Sequence, residues 1–175
     1  MEMRTVNSMN YEQFLDMFGN VIEKCPLIAA AVWTGRPFSS LSALEKNIGD
    51  FIDSLPRSGK EGILRCHPDL AGRELLRGTL SPDSQGEQSQ AGLTSLTQAQ
   101  RSQLSELNAS YKSRFNFPFV ICVRMNDRET IIQQLRSRIS NSPEQELQIG
   151  IQEVKKICHL RLLDISSQIF QATKL

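Results

Sequence analysis

The sequence has few histidines, no closely spaced cysteines and no long apolar run. Its four cysteines never occur in Cys-x-x-Cys spacing, and only two histidines are available to complete a metal site. Because structural zinc sites draw on close pairs of ligands, this pattern argues against bound zinc. A chain of 175 residues can also build its own core, so a disulfide framework is not expected. We therefore expect reduced, mostly buried thiols.

An excess of charge of one sign is also missing. The 20 lysines and arginines are balanced by 19 acidic residues, which leaves a formal net charge of +1. Nucleic acid and anionic membrane surfaces attract basic proteins, so neither partner is expected. No segment reaches the roughly 18 apolar residues that a transmembrane helix needs, and residues 1–5 contain no apolar signal region. We expect a protein of the reducing side of the cell.

What the sequence does contain is helical periodicity. With 39% apolar residues the chain can bury a core, and we expect a single domain over residues 1–175. Only residues 117–123 are β-branched and aromatic without helical spacing, and one short strand cannot form a sheet. The prediction is an all-α, irregular bundle of about seven to nine helices. Capping-box spacing predicts helix starts at Asn10, Ser42, Thr97, Asn126 and Ser142.

The first segment of chemical interest is Cys-His-Pro-Asp-Leu-Ala-Gly at residues 66–72. Pro68 disfavours helical geometry at the preceding residue, so a helix should end at His67 and leave its side chain on a rigid corner. An imidazole there can transfer a proton near neutral pH. It can equally serve only to hydrogen-bond the last carbonyl groups of the helix. The spacing alone leaves both interpretations open.

The second segment is Ser84-Gln85-Gly86-Glu87-Gln88. Ser84 and Glu87 have capping-box spacing, which predicts that a helix starts here and that Glu87 bonds the backbone N–H of Ser84. A helix N-terminus also attracts anions, because its N–H groups and its dipole favour negative charge. Five polar residues at such a turn therefore fit a polar ligand as well as a structural cap.

Arg161 completes an apolar stripe of the last predicted helix, between Cys158 and Ile165. A guanidinium on such a face needs a partner or must reach out to water, because burying an unpaired charge is costly. One interpretation is structural, with a buried carboxylate partner or an outward-reaching side chain. The other is functional, a bidentate clamp for a substrate carboxylate.

Together these segments resemble the 2-oxo-4-hydroxy-4-carboxy-5-ureidoimidazoline (OHCU) decarboxylases, which catalyse the last step from urate to allantoin. The resemblance covers nearly the whole chain and rests on four motifs in order, at residues 67–72, 84–93, 107–119 and 159–162. One departure is Asn116, where the family usually has glycine. Asparagine is the other residue that tolerates left-handed backbone geometry.

The resemblance implies an all-α homodimer that converts OHCU to (S)-allantoin and CO2 with no cofactor or metal. It makes His67 the proton donor, with Glu87 beside it. In this chemistry a C=N bond of the substrate ring accepts the electrons, so the protein has only to orient the carboxylate, stabilise an enol-like intermediate and deliver a proton. The resemblance assigns substrate binding to Pro68, Ser84, Gln85, Gly86, Gln88 and Arg161, and to the backbone of Phe119, Val120, Ile121, Cys122 and Val123.

The C-terminal tripeptide Thr173-Lys174-Leu175 resembles the Ser-Lys-Leu address that the peroxisomal import receptor binds. A urate-pathway enzyme fits that compartment. We therefore expect residues 172–175 to form a flexible targeting tail and the protein to be peroxisomal, or otherwise cytosolic.

The alternative function is an interaction module, since His67-Pro68-Asp69 also marks J-domain co-chaperones. In those domains a helix rich in lysine and arginine precedes the tripeptide, whereas residues 57–65 are interrupted by glycine and only mildly basic. A J-domain is also much smaller than this chain and gives no role to residues 84–88 or to Arg161.

Overall fold

The computed structural model describes residues 3–172, and these form ten α-helices with no strand among them. The all-α prediction is confirmed, and the helices slightly outnumber the predicted seven to nine because two of them are too short to show periodicity. The helices are α1 (Met3–Ser8), α2 (Tyr11–Phe18), α3 (Pro26–Trp33), α4 (Leu41–Ser54), α5 (Arg57–Arg65), α6 (Arg73–Arg77), α7 (Pro82–Gln90), α8 (Gln98–Phe115), α9 (Arg128–Arg138) and α10 (Pro143–Ala172).

The segment expected to be extended joins α8 to α9. It lacks regular structure up to residue 122 and then forms the 3₁₀ turn Val123–Met125. It begins at Asn116, the C-cap of α8, whose φ of 61° is left-handed. The conformational requirement inferred from the usual glycine is therefore confirmed at this position.

Helix starts follow local capping chemistry. Asn10 and Thr97 form complete capping boxes, and Ser142 exchanges the same two bonds with Gln145. The caps predicted at Ser42 and Asn126 are wrong. The true N-caps are Ser40, which accepts from the backbone of Ala43, and Asp127, which accepts from the backbone of Thr130. In both places two residues of capping type stand close together, so the local rule does not choose between them.

The chain folds into two compact units. One contains the residues up to Lys60 together with those from Lys155 on, and the other contains Glu61–Val154. In the first unit α3 packs against both α2 and α4 around a core of aromatic and branched side chains. The prediction of a single domain over residues 1–175 stays a prediction.

The second unit has a buried polar network centred on Glu146. The Glu146 carboxylate accepts hydrogen bonds from the Tyr111 hydroxyl (2.6 Å), the Arg138 Nε (2.8 Å) and the Asn141 amide (2.9 Å). Burial is the main cause that raises the pKa of Tyr111 far above its usual range, and the hydrogen bond to Glu146 raises this pKa further. Three donors thus compensate one carboxylate that is withdrawn from water.

We expect Glu146→Ala to lower the free energy of unfolding by about 3–5 kcal/mol, because it leaves the Arg138 charge buried without its partner. Tyr111→Phe is the matched control, which removes a single hydroxyl from the same network and should cost about 1 kcal/mol. Urea unfolding followed by circular dichroism measures both. A Glu146→Ala protein as stable as the Tyr111→Phe protein would contradict the proposed importance of the network.

Candidate active site

His67 lies two residues after the end of α5 and is buried at the turn that Pro68 enforces. Its Nδ1 is 3.0 Å from the carbonyl oxygen of Ile63, in the last turn of that helix. A carbonyl only accepts, so Nδ1 carries the hydrogen and the neutral ring is the Nδ1–H tautomer. Proton exchange is thereby assigned to Nε2. The bond expected under the structural interpretation is present, and it also selects the nitrogen that proton transfer would use.

The loop that follows His67 and Pro68 is held by two side-chain amides. The Gln88 Oε1 accepts from the backbone of Ala71 at 2.9 Å, and its Nε2 donates to the Asp69 carbonyl at 3.4 Å. The Asn108 amide donates to the Leu70 carbonyl at 3.0 Å. Ala71 itself is left-handed, with φ of 52°. These bonds fix a loop whose backbone conformation an alanine does not favour.

Asn108 lies in the third motif of the family resemblance but was not predicted as a site residue. The structure shows it buried on α8, where its amide holds the loop that follows His67.

The predicted cap at Ser84 is wrong. Helix α7 starts three residues earlier than predicted, because Pro82 suits the first helical position and Ser81 caps it by accepting from the Ser84 backbone at 3.1 Å. The Ser84 N–H is therefore used within the helix, and the expected anion-binding turn does not exist at this residue. Ser84 and Gln88 instead lie one turn apart on the buried face of α7, and Gln85, Gly86 and Glu87 are half-buried.

Helix α7 packs against the 3₁₀ turn that ends the predicted substrate-binding segment 119–123. Burial raises the pKa of the Cys122 thiol, and the negative charges of Glu153 and, more weakly, of Glu87 raise it further. The carboxylate of Glu87 therefore lies near enough to Cys122 to contribute to the electrostatics of this segment. Glu153 is a buried carboxylate that sequence reasoning missed, since nothing in its spacing separates it from surface acids of α10.

The segment 119–123 is buried throughout and held by Arg138. The guanidinium donates through Nη1 to the Val120 carbonyl at 2.9 Å and stacks over the Phe119 ring at 4.4 Å. The same side chain bonds Glu146, so the buried network of the second unit also positions this backbone. Sequence reasoning missed Arg138, because an arginine in the last turn of a helix is normally a solvated residue.

The structure connects the segments that carry the predicted residues of the second unit. The loop after His67 and Pro68 is bonded to Gln88 of α7, and α7 lies against the end of the segment 119–123.

Arg161 belongs to the first unit and is buried there. Its Nη1 donates to the Asn20 carbonyl at 2.8 Å and to the carboxylate of Glu23 at 2.9 Å, and Glu23 is fully buried. The structural interpretation, a buried carboxylate partner, is confirmed. These two bonds involve Nη1 and do not address a bidentate clamp on a substrate carboxylate. That role stays a prediction.

Residues 3–172 meet neither the requirements of a metal site nor those of a membrane-spanning helix. No group of three or more histidine, cysteine, aspartate or glutamate side chains is arranged to hold a metal ion in this part of the chain. None of its helices combines the length and the apolar character needed to cross a bilayer.

Comparison with known proteins identifies the family. A family model described as OHCU decarboxylase matches residues 7–163. A Xenopus laevis protein named 2-oxo-4-hydroxy-4-carboxy-5-ureidoimidazoline decarboxylase is 59% identical over 165 residues, which cover 94% of both chains. The Amia calva protein of the same name is 60% identical over 165 residues, again covering 94% of both.

Two solved structures share the fold at 22% identity. A crystal structure of (S)-allantoin synthase has a TM-score of 0.74 and covers 94% of this chain and 54% of that one. A crystal structure of OHCU decarboxylase in the presence of (S)-allantoin has a TM-score of 0.70 and covers 86% of this chain and 98% of that one. With sequence identity near 60% over almost the full length of its relatives, the chain belongs to the OHCU decarboxylase family.

Proposed function

We propose that this protein decarboxylates OHCU to (S)-allantoin and CO2, with His67 protonating one face of the intermediate. Family membership supports the reaction. The observation that carries the assignment of His67 is its bond to the Ile63 carbonyl, which leaves Nε2 as the atom that gains and loses a proton. No observation favours the J-domain alternative, since the residues that resemble a J-domain are confined to His67-Pro68-Asp69.

The substrate makes this chemistry possible without an external electron acceptor. When the bond between the ring carbon and its carboxylate breaks, CO2 leaves and the electron pair forms a double bond to the neighbouring carbon. The former C=N electrons move to the ring nitrogen, which takes up a proton. The resulting enol then gains a proton at carbon and loses one from its hydroxyl oxygen, which gives the carbonyl of allantoin. The face that receives the carbon-bound proton decides the handedness of the product.

His67 is suited to that last protonation. As an imidazolium it donates from Nε2 and becomes the neutral Nδ1–H tautomer that the Ile63 carbonyl stabilises. The ring does not have to turn between the two states, because the Nδ1 bond is the same in both. We assign Glu87 the role of orienting the imidazole or returning its proton. The buried face formed by Ser84 and Gln88 and the rigid backbone 119–123 are assigned to the substrate.

We expect His67→Asn to lower the decarboxylation rate by about 10²–10⁴-fold and to yield allantoin without the excess of the S enantiomer, because protonation then comes from water. The rate is measured by the disappearance of freshly made OHCU, and the handedness by circular dichroism of the product. OHCU decays spontaneously, so handedness is the cleaner measurement.

The matched control is His159→Asn, which changes the other histidine of the chain, a half-exposed residue bonded to Glu45. This variant should keep the wild-type rate and product. A His67→Asn protein that folds normally and still makes (S)-allantoin at the wild-type rate would show that another group delivers the proton.

We further propose a homodimer and a peroxisomal location. The dimer follows from the family resemblance alone, and sedimentation velocity of the purified protein measures it directly. The location follows from Thr173-Lys174-Leu175, which lies outside the described residues.

Removal of Thr173-Lys174-Leu175 should leave a protein with an N-terminal fluorescent tag diffuse in the cytosol, whereas the full chain should colocalise with a peroxisomal marker. The import receptor binds the C-terminal tripeptide itself, so a tag at the N-terminus does not interfere. Persistence of peroxisomal puncta after the deletion would reject the signal.

A further inference from the structure

A cavity of the Glu61–Val154 unit is lined by charged side chains and has no assigned role. Its volume is about 360 Å³, and it lies among α6, α8 and the loop that joins α5 to α6. None of the residues predicted to bind substrate lines it. The polar side chains that matter here are Asp69, Arg73, Glu74, Arg101, Ser105 and Lys112.

Three cations meet two carboxylates around this cavity, and one of these carboxylates forms an ion pair. Asp69 pairs with Lys112 at 3.2 Å. The carboxylate of Glu74 folds back over the backbone, 3.2 Å from where a Cβ on Gly72 would lie. Neither Arg73 nor Arg101 has an ion pair or a side-chain hydrogen bond within residues 3–172. Two guanidinium groups are therefore left to face the cavity without an anion.

The geometry of α8 places complementary donors on one side of the cavity. Arg101, Ser105 and Lys112 are separated by four and seven residues, so they lie on one face of the helix. Arg73 contributes from α6. Guanidinium groups bind oxyanions with paired N–H bonds, and a hydroxyl and an ammonium group add further donors.

We propose that this cavity binds a phosphate group, either of free phosphate or of a small phosphomonoester. Arg73 and Arg101 hold the oxygens, and Ser105 donates one additional bond. The site is independent of the proposed decarboxylation. It borders the loop of His67, however, because Asp69 belongs to that loop and Asn108, which holds the Leu70 carbonyl, also lines the cavity.

The test is a titration of the full chain with inorganic phosphate at constant ionic strength, followed by the amide resonances of the ¹⁵N-labelled protein. We expect saturable shifts at residues 69–74 and 101–112. The double variant Arg73→Gln/Arg101→Gln should weaken binding by about tenfold or more, since each exposed charge pair contributes modestly. Glu74→Gln removes a competing negative charge and should tighten binding.

Arg77→Gln is the matched control, because Arg77 lies on the same helix, is exposed and does not line the cavity. It should bind phosphate as the unmodified chain does. Parallel titration with glycerol 3-phosphate distinguishes the two sources: tighter binding indicates a phosphomonoester, and equal or weaker binding indicates free phosphate.

Shifts that fail to saturate would overturn the proposal, as would equal weakening by Arg77→Gln, which indicates only a general effect of charge. Shifts confined to residues 84–88 and 119–123 would also overturn it, because phosphate would then occupy the predicted substrate site.

Discussion

A carboxylate withdrawn from water and bonded to a guanidinium recurs in each of the two units, as Glu146 with Arg138 and as Glu23 with Arg161. The desolvation of two buried charges can outweigh their mutual attraction, so additional hydrogen bonds to the charged groups help to stabilise such a pair. Each pair therefore recruits backbone groups around it. Arg138 takes the Val120 carbonyl and Arg161 takes the Asn20 carbonyl. These bonds hold the backbone at Val120 and Asn20, which lie outside the helices and have no helical hydrogen bonds to fix them.

This constraint makes the loop-like segment 119–123 suitable for the substrate contacts proposed for it. A segment without regular structure would normally be mobile, since its own hydrogen bonds do not hold it. Here the Arg138 side chain bonds the Val120 carbonyl and stacks on the Phe119 ring, and it is itself bonded to the buried Glu146, which also accepts a hydrogen bond from Tyr111. A small substrate can be positioned precisely only by rigid contacts. Buried hydrogen bonds behind a binding segment provide that rigidity.

The sequence predicted what depends on neighbours along the chain. The all-α class, the capping boxes at Asn10 and Thr97 and the left-handed backbone at Asn116 are decided within a few residues. The wrong caps at Ser42, Ser84 and Asn126 arose where two local solutions compete. The sequence could not predict ion pairs between distant residues. Glu23 lies 138 residues from Arg161, and its sequence position does not distinguish it from a surface acid. The family resemblance supplied the candidate residues, but not the groups that hold them.

The structural and catalytic interpretations of His67 are not alternatives. The bond from Nδ1 to the Ile63 carbonyl satisfies the end of α5, and that same bond fixes the tautomer and leaves Nε2 to exchange the proton. Gln88 extends the argument. The oxygen and nitrogen of its amide are both bonded to the loop that follows His67, so a residue that the resemblance assigns to the substrate also holds the turn next to the proposed acid. Substrate contact by Gln88 would therefore be transmitted to the position of His67 through a single side chain, which couples binding to protonation more directly than two separate residues would.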